Sequence, residues 1–422
     1  MTIPVNLNVP TPEVGSESRP MFFKKTFQAF TYRQFRLLWI GAFTSTVGTW
    51  MQEVAQNWLI LTLTASTFLL GLDAFLGDVP ILLFSLLGGV IADRVDRRKM
   101  LLASQYLQMS FAFSLAILIH THLVSVWHIL LLSFMTGSAQ AFGGPAYQAL
   151  VPMLVDKKDL PNAIALNSIQ FNLARIVGPL AAGVAFTTFG APTCFALNGF
   201  SFVAVITALS CLKVRSIPKA SGEKILTDLR GGFSFLRHQP ILLALNVLAF
   251  CSTFLGIPLM TLLPVFARNV FRQGVEGYSS LMAILGGGAV LGALLVAALG
   301  GSLHKGKVTL YLQLILGGLV VVFGLSRHLW FSRALLFFGG MALVAIFALV
   351  TSLVQLQAPE EMRGRIMSFY MIAFRGGMPL GSLVSGFFAN RFPPPTVLAC
   401  NGLLLSFVAG TFLLFNRRLK GI

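Results

Sequence analysis

The sequence predicts an all-α membrane protein with twelve transmembrane helices arranged as two pseudo-symmetric six-helix bundles. Of the 422 residues, 56% are apolar and 11% are charged, against roughly 45–50% and about 25% in soluble domains. Twelve apolar runs are long enough to cross a hydrocarbon layer of about 30 Å as helices. One long basic segment separates the first six runs from the last six. This composition excludes a soluble globular protein and a disordered chain.

Each apolar run is bounded by charged or turn residues. In chain order the predicted spans are 36–61, 68–91, 100–119, 126–148, 162–187, 192–212, 240–266, 278–300, 308–326, 331–355, 363–389 and 396–416. The resulting organisation is a disordered cytoplasmic tail at 1–35, a bundle at 36–212, a cytoplasmic linker at 213–239, a bundle at 240–416 and a cytoplasmic tail at 417–422.

Positive charge is distributed unevenly between the two sides of the membrane. With the N-terminus inside, most Lys and Arg residues fall on the inner side; the exceptions are Arg268, Arg272, Arg327, Arg333 and Arg391 outside, with Arg175 and Arg375 inside spans. The positive-inside rule then predicts a multi-pass protein of the cell (inner) membrane with both termini in the cytoplasm. It accounts for the net charge of +17 without nucleic acid, since no basic stripe is interleaved with exposed aromatic residues. The scattered cysteines predict no metal site or disulfide, and no cofactor is expected.

The fifth and eleventh spans resemble each other at an offset of 200 residues. Arg175 aligns with Arg375 and Pro179 with Pro379, and Ser168 and Leu180 also find identical partners. Duplicated bundles commonly move against each other around a site near the membrane midplane, so the repeat favours a carrier. The alternative is a chance match between apolar segments.

The loop between the second and third spans carries a specific motif, Gly88-Gly89-Val90-Ile91-Ala92-Asp93-Arg94-Val95-Asp96-Arg97-Arg98-Lys99. It resembles the cytoplasmic loop of the major facilitator superfamily at Gly89, Asp93, Arg94, Arg97 and Arg98, whereas Asp96 stands where a second Gly is usual. The resemblance implies the major facilitator fold, a monomer, and a gating loop whose Asp93 faces the start of the eleventh helix. In physical terms, Gly89 is expected to let two helices approach closely, and a carboxylate is stabilised at a helix N-terminus.

The fifth span contains Arg175-Ile176-Val177-Gly178-Pro179-Leu180-Ala181-Ala182-Gly183. Gly178, Pro179 and Gly183 match a helix-bend motif of exporting, proton-exchanging members of the superfamily, whereas Ala174 and Ala182 stand at positions that are often Gly. Together with Phe35 to Trp39, the layout is similar to a bacterial exporter branch that includes the enterobactin exporter. The resemblance implies export of small drug- or siderophore-like molecules by proton antiport and alternating access. A bend that serves packing alone is the other interpretation.

Only Glu53, Asp73 and Asp78 of the 14 acidic residues fall inside predicted spans. Ionisable groups in a membrane are costly and point to an ion or substrate path. The first span also carries a polar stripe at helical spacing, which is expected to line a wet cavity; it consists of Thr46, Thr49, Glu53, Gln56 and Asn57. Asp73, near the outer end of its span, is interpreted as an interfacial residue.

We therefore hypothesise that Glu53, with Asp78 second, carries the coupled proton and that Arg175 is the counter-charge; a permanent ion pair that joins helices is the alternative. Arg375, Gln56 and Asn57 are possible substrate contacts. Arg375 could equally bond backbone carbonyls beside Gly376 and Gly377.

Three other functions compete with an exporter. An uptake carrier has the same fold with the opposite direction. A polytopic membrane enzyme is disfavoured because the six histidines do not cluster at one membrane face. A receptor is disfavoured because no soluble domain is appended. A phosphate-binding GxxxxGK[ST] loop is missing, which argues against ATP as the energy source. The expected partners are a small-molecule substrate, protons and the lipid bilayer.

Overall fold

The structure is a computed structural model that describes residues 27–212, 235–299 and 304–416. Within these ranges the chain is helical and contains no β-strand. The prediction of an all-α protein is therefore confirmed. Most of the predicted linker, residues 1–26 and the whole predicted tail at 417–422 lie outside the described residues, so the proposed boundaries at 213–239 and 417–422 stay predictions. The prediction of a disordered tail at 1–35 was wrong for residues 27–35, which form a 3₁₀ turn and the start of a long helix at Arg33, because Ala29 and Phe35 are buried.

Twelve long helical segments follow one another in the described ranges. They are α1 (Arg33–Thr64), α2 (Thr67–Arg94), α3 (Arg97–His120), α4 (Val126–Leu150), α5 (Leu160–Phe189), α6 (Ala191–Cys211), α7 (Pro240–Gly256, then Pro258–Val265 and a π-helical turn at Phe266–Val270), α8 (Val275–Leu299), α9 (Lys305–Leu325), α10 (Leu329–Gln357), α11 (Arg363–Ala389) and α12 (Pro394–Phe415). Short 3₁₀ turns occur at Gln28–Thr31, Val151–Met153 and Glu360–Met362.

These helices match the predicted spans, with ends that differ by a few residues. Nine segments in the described ranges are apolar and long enough to cross a membrane by length and composition. The other three, α1, α4 and α11, are also long enough, at 32, 25 and 27 residues, but are more polar. We propose that all twelve cross, because about 20 helical residues span the hydrocarbon layer.

Local signals define several helix ends. The Ser66 side chain accepts a hydrogen bond from the Leu69 amide at the start of α2, and Asp96 accepts bonds from the Arg98 and Lys99 amides at the start of α3. Asp and Ser are favoured at this N-cap position, where a side-chain oxygen satisfies an amide that has no helical partner. Asp96 of the loop motif therefore marks the start of α3.

The helices form two groups of six. In the first half α1 packs on α6, α2 on α4 and α3 on α6; in the second half α8 packs on α10, α9 on α12 and α7 on α11. Contacts of α2 with α11 and of α5 with α8 join the halves. The predicted arrangement of two six-helix bundles is thus confirmed.

The two halves are in closest contact at one end. We call the end where α1 begins and α12 ends the terminal end, and the opposite one the distal end. At the distal end Thr67 Oγ1 donates to the Gly386 carbonyl at 3.0 Å, joining α2 to α11. Towards the terminal end of the same two helices, a Cβ atom added at Gly89 or Gly364 would meet nothing within 4 Å. We therefore describe these helices as closed at the distal end, and the space beside Gly89 and Gly364 at the terminal end as open.

Candidate functional site

The polar face predicted on α1 points towards other helices, as expected for groups that lipid could not satisfy. Thr46 accepts a hydrogen bond from Gln170 Nε2 of α5 at 2.9 Å. Gln56 and Asn57, one turn beyond Glu53, bond to α2 and α4 and to α8, respectively. Most of the stripe is thus used to join helices, and Glu53 is its exposed acidic member.

Glu53 is the carboxylate most open to solvent among the three acids inside the helices. It is exposed, whereas Asp78 is half-buried and Asp73 is buried. Its charge interacts electrostatically with Arg175 of α5 and with Asp78 and Asp73 of α2. The structure therefore brings the two predicted proton-coupling acids and the predicted counter-charge together between α1, α2 and α5.

Arg175 is buried, with 9% of its surface exposed. Its Nη2 atom contacts the Met260 sulfur of α7 at 3.3 Å, and its guanidinium carbon lies 5.5 Å from the centre of the Trp50 ring. Its Nε atom is buried without a hydrogen-bond partner. The described contacts include no Glu53–Arg175 ion pair within 4 Å. The direct side-chain contacts described for this guanidinium are with sulfur and an aromatic ring, which leaves hydrogen-bond donors for an anionic partner.

A second acid–base pair spans the two halves. The carboxylate of Asp78 on α2 interacts electrostatically with Arg375 on α11. The helices meet beside this pair, because a Cβ atom at Gly376 would lie 3.5 Å from Leu82. Arg375 is exposed, and the described side chains include none that forms a hydrogen bond or a close ion pair with it. Arg375 therefore remains accessible between the halves.

Asp73, which is expected near the outer interface of the membrane, is enclosed within the protein. Only 5% of its surface is exposed, and its two carboxylate oxygens accept hydrogen bonds from Ser133 Oγ at 2.6 Å and Gln56 Nε2 at 2.7 Å. The side chain is thus enclosed by α1 and α4 because two neutral donors replace water. Counting residues from the helix end located its depth but could not reveal these partners.

Asn57 takes part in the contact between the halves. Its Nδ2 donates to the hydroxyl of Tyr278 on α8 at 3.3 Å. The Tyr278 ring, which is fully buried, stacks on Trp58 with 6.2 Å between ring centres. This group joins α1 to α8 at the distal end.

Two further hydrogen bonds close the distal end. Arg268 Nη1 of α7 donates to the Leu61 carbonyl at 2.8 Å, near the end of α1. Ser66 donates to Asn390 Oδ1 at 3.3 Å, linking the start of α2 to the end of α11. A positive side chain is favoured near the C-terminal end of a helix, where the helix dipole is negative. The distal closure is therefore polar at its rim.

The basic pair of the loop motif caps helices inside the first half. Arg98 donates to the carbonyls of Leu209 and Ser210, both at 2.6 Å, at the end of α6. Arg97 Nη1 lies 3.5 Å from the Ala149 carbonyl at the end of α4. The side chains of Asp93 and Arg94 lie outside the described residues, so the predicted contact of Asp93 with α11 stays a prediction.

The close approach expected at Gly89 occurs instead at its neighbour. A Cβ atom at Gly88 would collide with the backbone of Ala141 on α4, whereas one at Gly89 would meet nothing within 4 Å. In this conformation Gly88 is thus the residue that permits tight helix packing. A period of 3.6 residues decides which of two adjacent glycines faces the neighbouring helix, and the motif alone does not contain that information.

The Gly-Pro motif lies where α5 contacts both halves. A Cβ atom at Gly178 would be 2.8 Å from the Val47 carbonyl of α1, and one at Gly183 would be 3.1 Å from Ser279 of α8. Pro179 lies inside the helix. The two glycines thus permit close packing of α5 against α1 and against α8, and the predicted bend at Pro179 stays a prediction.

Sequence reasoning missed several residues of the site. Arg268 was not identified because it was considered only as one of the positive charges outside the membrane. Tyr278 was not identified because it is an isolated tyrosine in an apolar run. Ser133 carries no signal by itself, since hydroxyl groups in apolar helices usually bond their own backbone. Within the described ranges, no cluster of three or more His, Cys, Asp or Glu side chains is arranged to hold a metal ion.

Comparison with known proteins adds family information to this geometry. A family described as transmembrane secretion effector matches residues 24–421. The staphyloferrin A transporter of Staphylococcus aureus is 27% identical over 398 residues, covering 90% of this chain and 96% of that protein. The macrolide efflux protein A of Streptococcus pyogenes is 24% identical, covering 89% and 94%. The enterobactin exporter of Escherichia coli is 26% identical, covering 91% and 92%.

Solved structures support the same fold. The crystal structure of a POT family transporter in complex with a thioalcohol-conjugated peptide is 11% identical, with a TM-score of 0.75 over 92% of this chain and 96% of that chain. At this identity the likeness concerns the fold alone. The predicted resemblance to the major facilitator superfamily and to its exporter branch is confirmed.

Proposed function

Because the chain belongs to the transmembrane secretion effector family of the major facilitator superfamily, it is a membrane transporter and not an enzyme, and we propose that it exports small organic molecules by proton antiport. The observation that carries this proposal is the position of Glu53. This exposed carboxylate lies among the helices within electrostatic range of a buried guanidinium but not in direct contact with it.

Such an arrangement suits reversible protonation. A carboxylate that is accessible to water can exchange a proton, and the nearby charge of Arg175 changes the balance between the two protonation states as the helices move. Asp78 is the second proposed carrier, since it interacts with both Glu53 and Arg375. Each cycle would move a proton inwards and a substrate outwards through alternating exposure of the same site.

The positive-inside asymmetry supports an orientation with the terminal end in the cytoplasm. The described conformation would then be open towards the cytoplasm and closed at the cell exterior. Asn57 and its neighbour Gln56 are proposed substrate contacts, together with Arg375. When the distal end opens, Asn57 would separate from Tyr278, which belongs to the other half.

Export of drug- or siderophore-like compounds is supported by the names of two relatives, a macrolide efflux protein and an enterobactin exporter. In this proposal the protein acts as a monomer in the cell membrane with both termini in the cytoplasm. The loop between α2 and α3, which contains Asp93 and Arg94, serves as a gate. No nucleic acid takes part in the proposed cycle.

The proposal is tested in everted membrane vesicles that carry an imposed, inside-acid pH gradient. A pH-sensitive dye reports proton release while siderophores, dyes and antibiotics are added singly. The variant is Glu53→Gln, which removes the titrating group and keeps the shape. The matched control is Glu276→Gln, an exposed acid in the first turn of α8.

We expect at least one compound to release protons from wild-type and Glu276→Gln vesicles and not from Glu53→Gln vesicles. If compounds are transported and none moves protons, proton antiport is wrong. If Glu53→Gln retains proton exchange, the coupling residue has been assigned incorrectly.

A further inference from the structure

The contact between α2 and α11 is continuous from the distal end to the middle of both helices. A Cβ atom at Gly386 would lie 2.7 Å from the Thr67 carbonyl and 2.9 Å from Gly71 Cα. Nearer the terminal end, Gly376 still faces Leu82 at 3.5 Å. Beyond these residues Gly89 of α2 and Gly364 of α11 face open space. Of these contacts between the two helices, Leu82–Gly376 is the one nearest the terminal end.

Asp78 and Arg375 lie beside this contact, next to the open space of the terminal end. Asp78 is one helical turn from Leu82 on the distal side, and Arg375 is adjacent to Gly376 in the chain. Their charges interact across the interface between the halves. The other charge described as interacting with Asp78 is Glu53 of α1, which repels it. Arg375 is thus the attractive partner that the second half offers to Asp78.

The two members of this pair differ in accessibility. Arg375 is exposed and Asp78 is half-buried, and no direct ion pair within 4 Å joins these two described side chains. A compound that enters from the open terminal end therefore reaches the guanidinium more readily than the carboxylate. A guanidinium binds carboxylates and similar planar anions through two parallel hydrogen bonds.

We propose that Asp78 and Arg375 form an electrostatic latch between the halves, and that an anionic group of the transported compound releases it by binding Arg375. While Asp78 is ionised and Arg375 is free, their attraction holds α2 against α11 and keeps the distal end closed. Neutralisation of either charge weakens this attraction and favours opening of the distal end.

The latch would make the transition between the distal-closed and distal-open states depend on a bound proton or anion, as an exchanger requires. An empty carrier with ionised Asp78 remains closed at the distal end, so it cannot return without a load. A proton on Asp78 or an anion on Arg375 each suffices for the transition, so either load can cross alone. The inference rests on the proposed function for this role, whereas the existence of the latch does not depend on proton transport.

The test measures conformation and not transport. A variant without the four native cysteines carries spin labels at His120→Cys and Arg327→Cys, which are exposed distal positions in different halves. Electron–electron distance measurements in lipid nanodiscs give the ratio of distal-closed to distal-open molecules. Asp78→Asn, Arg375→Gln and the combined variant complete a double-mutant cycle, and Glu276→Gln is the control.

We expect each single variant to lower the closed-to-open ratio at least about threefold, and the combined variant to lower it no further than the single ones. Exchange of the two charges, Asp78→Arg with Arg375→Asp, should restore the wild-type ratio, provided that the exchanged variant elutes as a folded monomer like the wild type. Unchanged ratios in the single variants, or additive effects in the combined one, would overturn the latch.

The ligand class is tested with decanoate and decylamine, which share a chain and differ in charge. Decanoate should lower the closed-to-open ratio of the wild type and leave that of Arg375→Gln unchanged, and decylamine should not lower it. An effect of decylamine alone, an effect of decanoate that persists in Arg375→Gln, or no effect of either would overturn anion release. A failure of the vesicle experiment with an intact latch would instead contradict only proton antiport.

Discussion

Replacement of Gly71 by alanine should open the distal end, because this glycine is where the backbones of α2 and α11 come into contact. An added Cβ atom would collide with the Ser382 carbonyl and lie 3.1 Å from Gly386 Cα. Both obstacles are backbone atoms, so no side-chain rotation relieves the collision. Gly77 on the same helix is the matched control, since a Cβ atom there would meet nothing within 4 Å.

The size of the effect follows from the geometry. Carbon atoms in contact prefer about 3.5–4.0 Å, so the contact with Gly386 Cα alone requires a separation of about half an ångström at Gly71, and the collision with the Ser382 carbonyl requires more. Overpacking of this kind costs about 1–3 kcal/mol. The cost falls on the distal-closed state alone, because the two helices no longer touch there when the distal end opens. A difference of that size corresponds to a shift of about 5–150-fold in the ratio of the two states.

The assay is the distance measurement between labels at positions 120 and 327. Gly71→Ala should add or enlarge a long-distance population, and Gly77→Ala should give the wild-type distribution. Equal distributions for Gly71→Ala and the wild type would refute the argument that the α2–α11 contact holds the distal end closed. Equal opening in both variants would show that the cause is a general loss of packing in α2.

Two other predictions use the hydrogen bonds of the site. Arg98→Gln should reduce stability by about 1–2 kcal/mol, since its two charge-assisted bonds to the end of α6 are lost; the thermal midpoint in detergent should fall, and that of Lys99→Gln should not. Equal midpoints for the two variants would argue against a capping role. Tyr278→Phe should keep the ring stacked on Trp58 and remove the bond from Asn57. Loss of about 0.5–1.5 kcal/mol from the closed state should lower the closed-to-open ratio about two- to twelvefold, and an unchanged ratio would exclude this bond from the closure.

The positions of the helices follow from the chain itself. A hydrocarbon layer demands about 20 apolar residues per crossing, so hydropathy and charge locate α1 to α12 to within a few residues. The motif from Gly88 to Lys99 and the repeat of Arg175 at Arg375 were enough to predict the family and the two-bundle fold. These properties are local or periodic, and a linear pattern therefore contains them.

The composition of the charged site was partly predictable. Glu53, Asp78 and Arg175 were identified because ionisable groups are rare and costly inside a membrane, and the structure brings them within electrostatic range. Which of them interact was not predictable. The pairing of Asp78 with Arg375 links positions almost 300 residues apart in the sequence, and it depends on how α2 and α11 cross.

By itself, the sequence determined the fold class, the helix boundaries, the family and the set of charges inside the helices. It could do so because the free-energy cost of polar groups in lipid and the helical periodicity act on each segment separately. Only the tertiary structure decided which neighbour each side chain meets. The rotation of each helix about its axis enclosed Asp73 between Ser133 and Gln56 and turned Gly88, not Gly89, towards α4. The relative placement of the two halves closed the distal end and left Arg375 accessible, because contacts between distant segments depend on the packing of all twelve helices together.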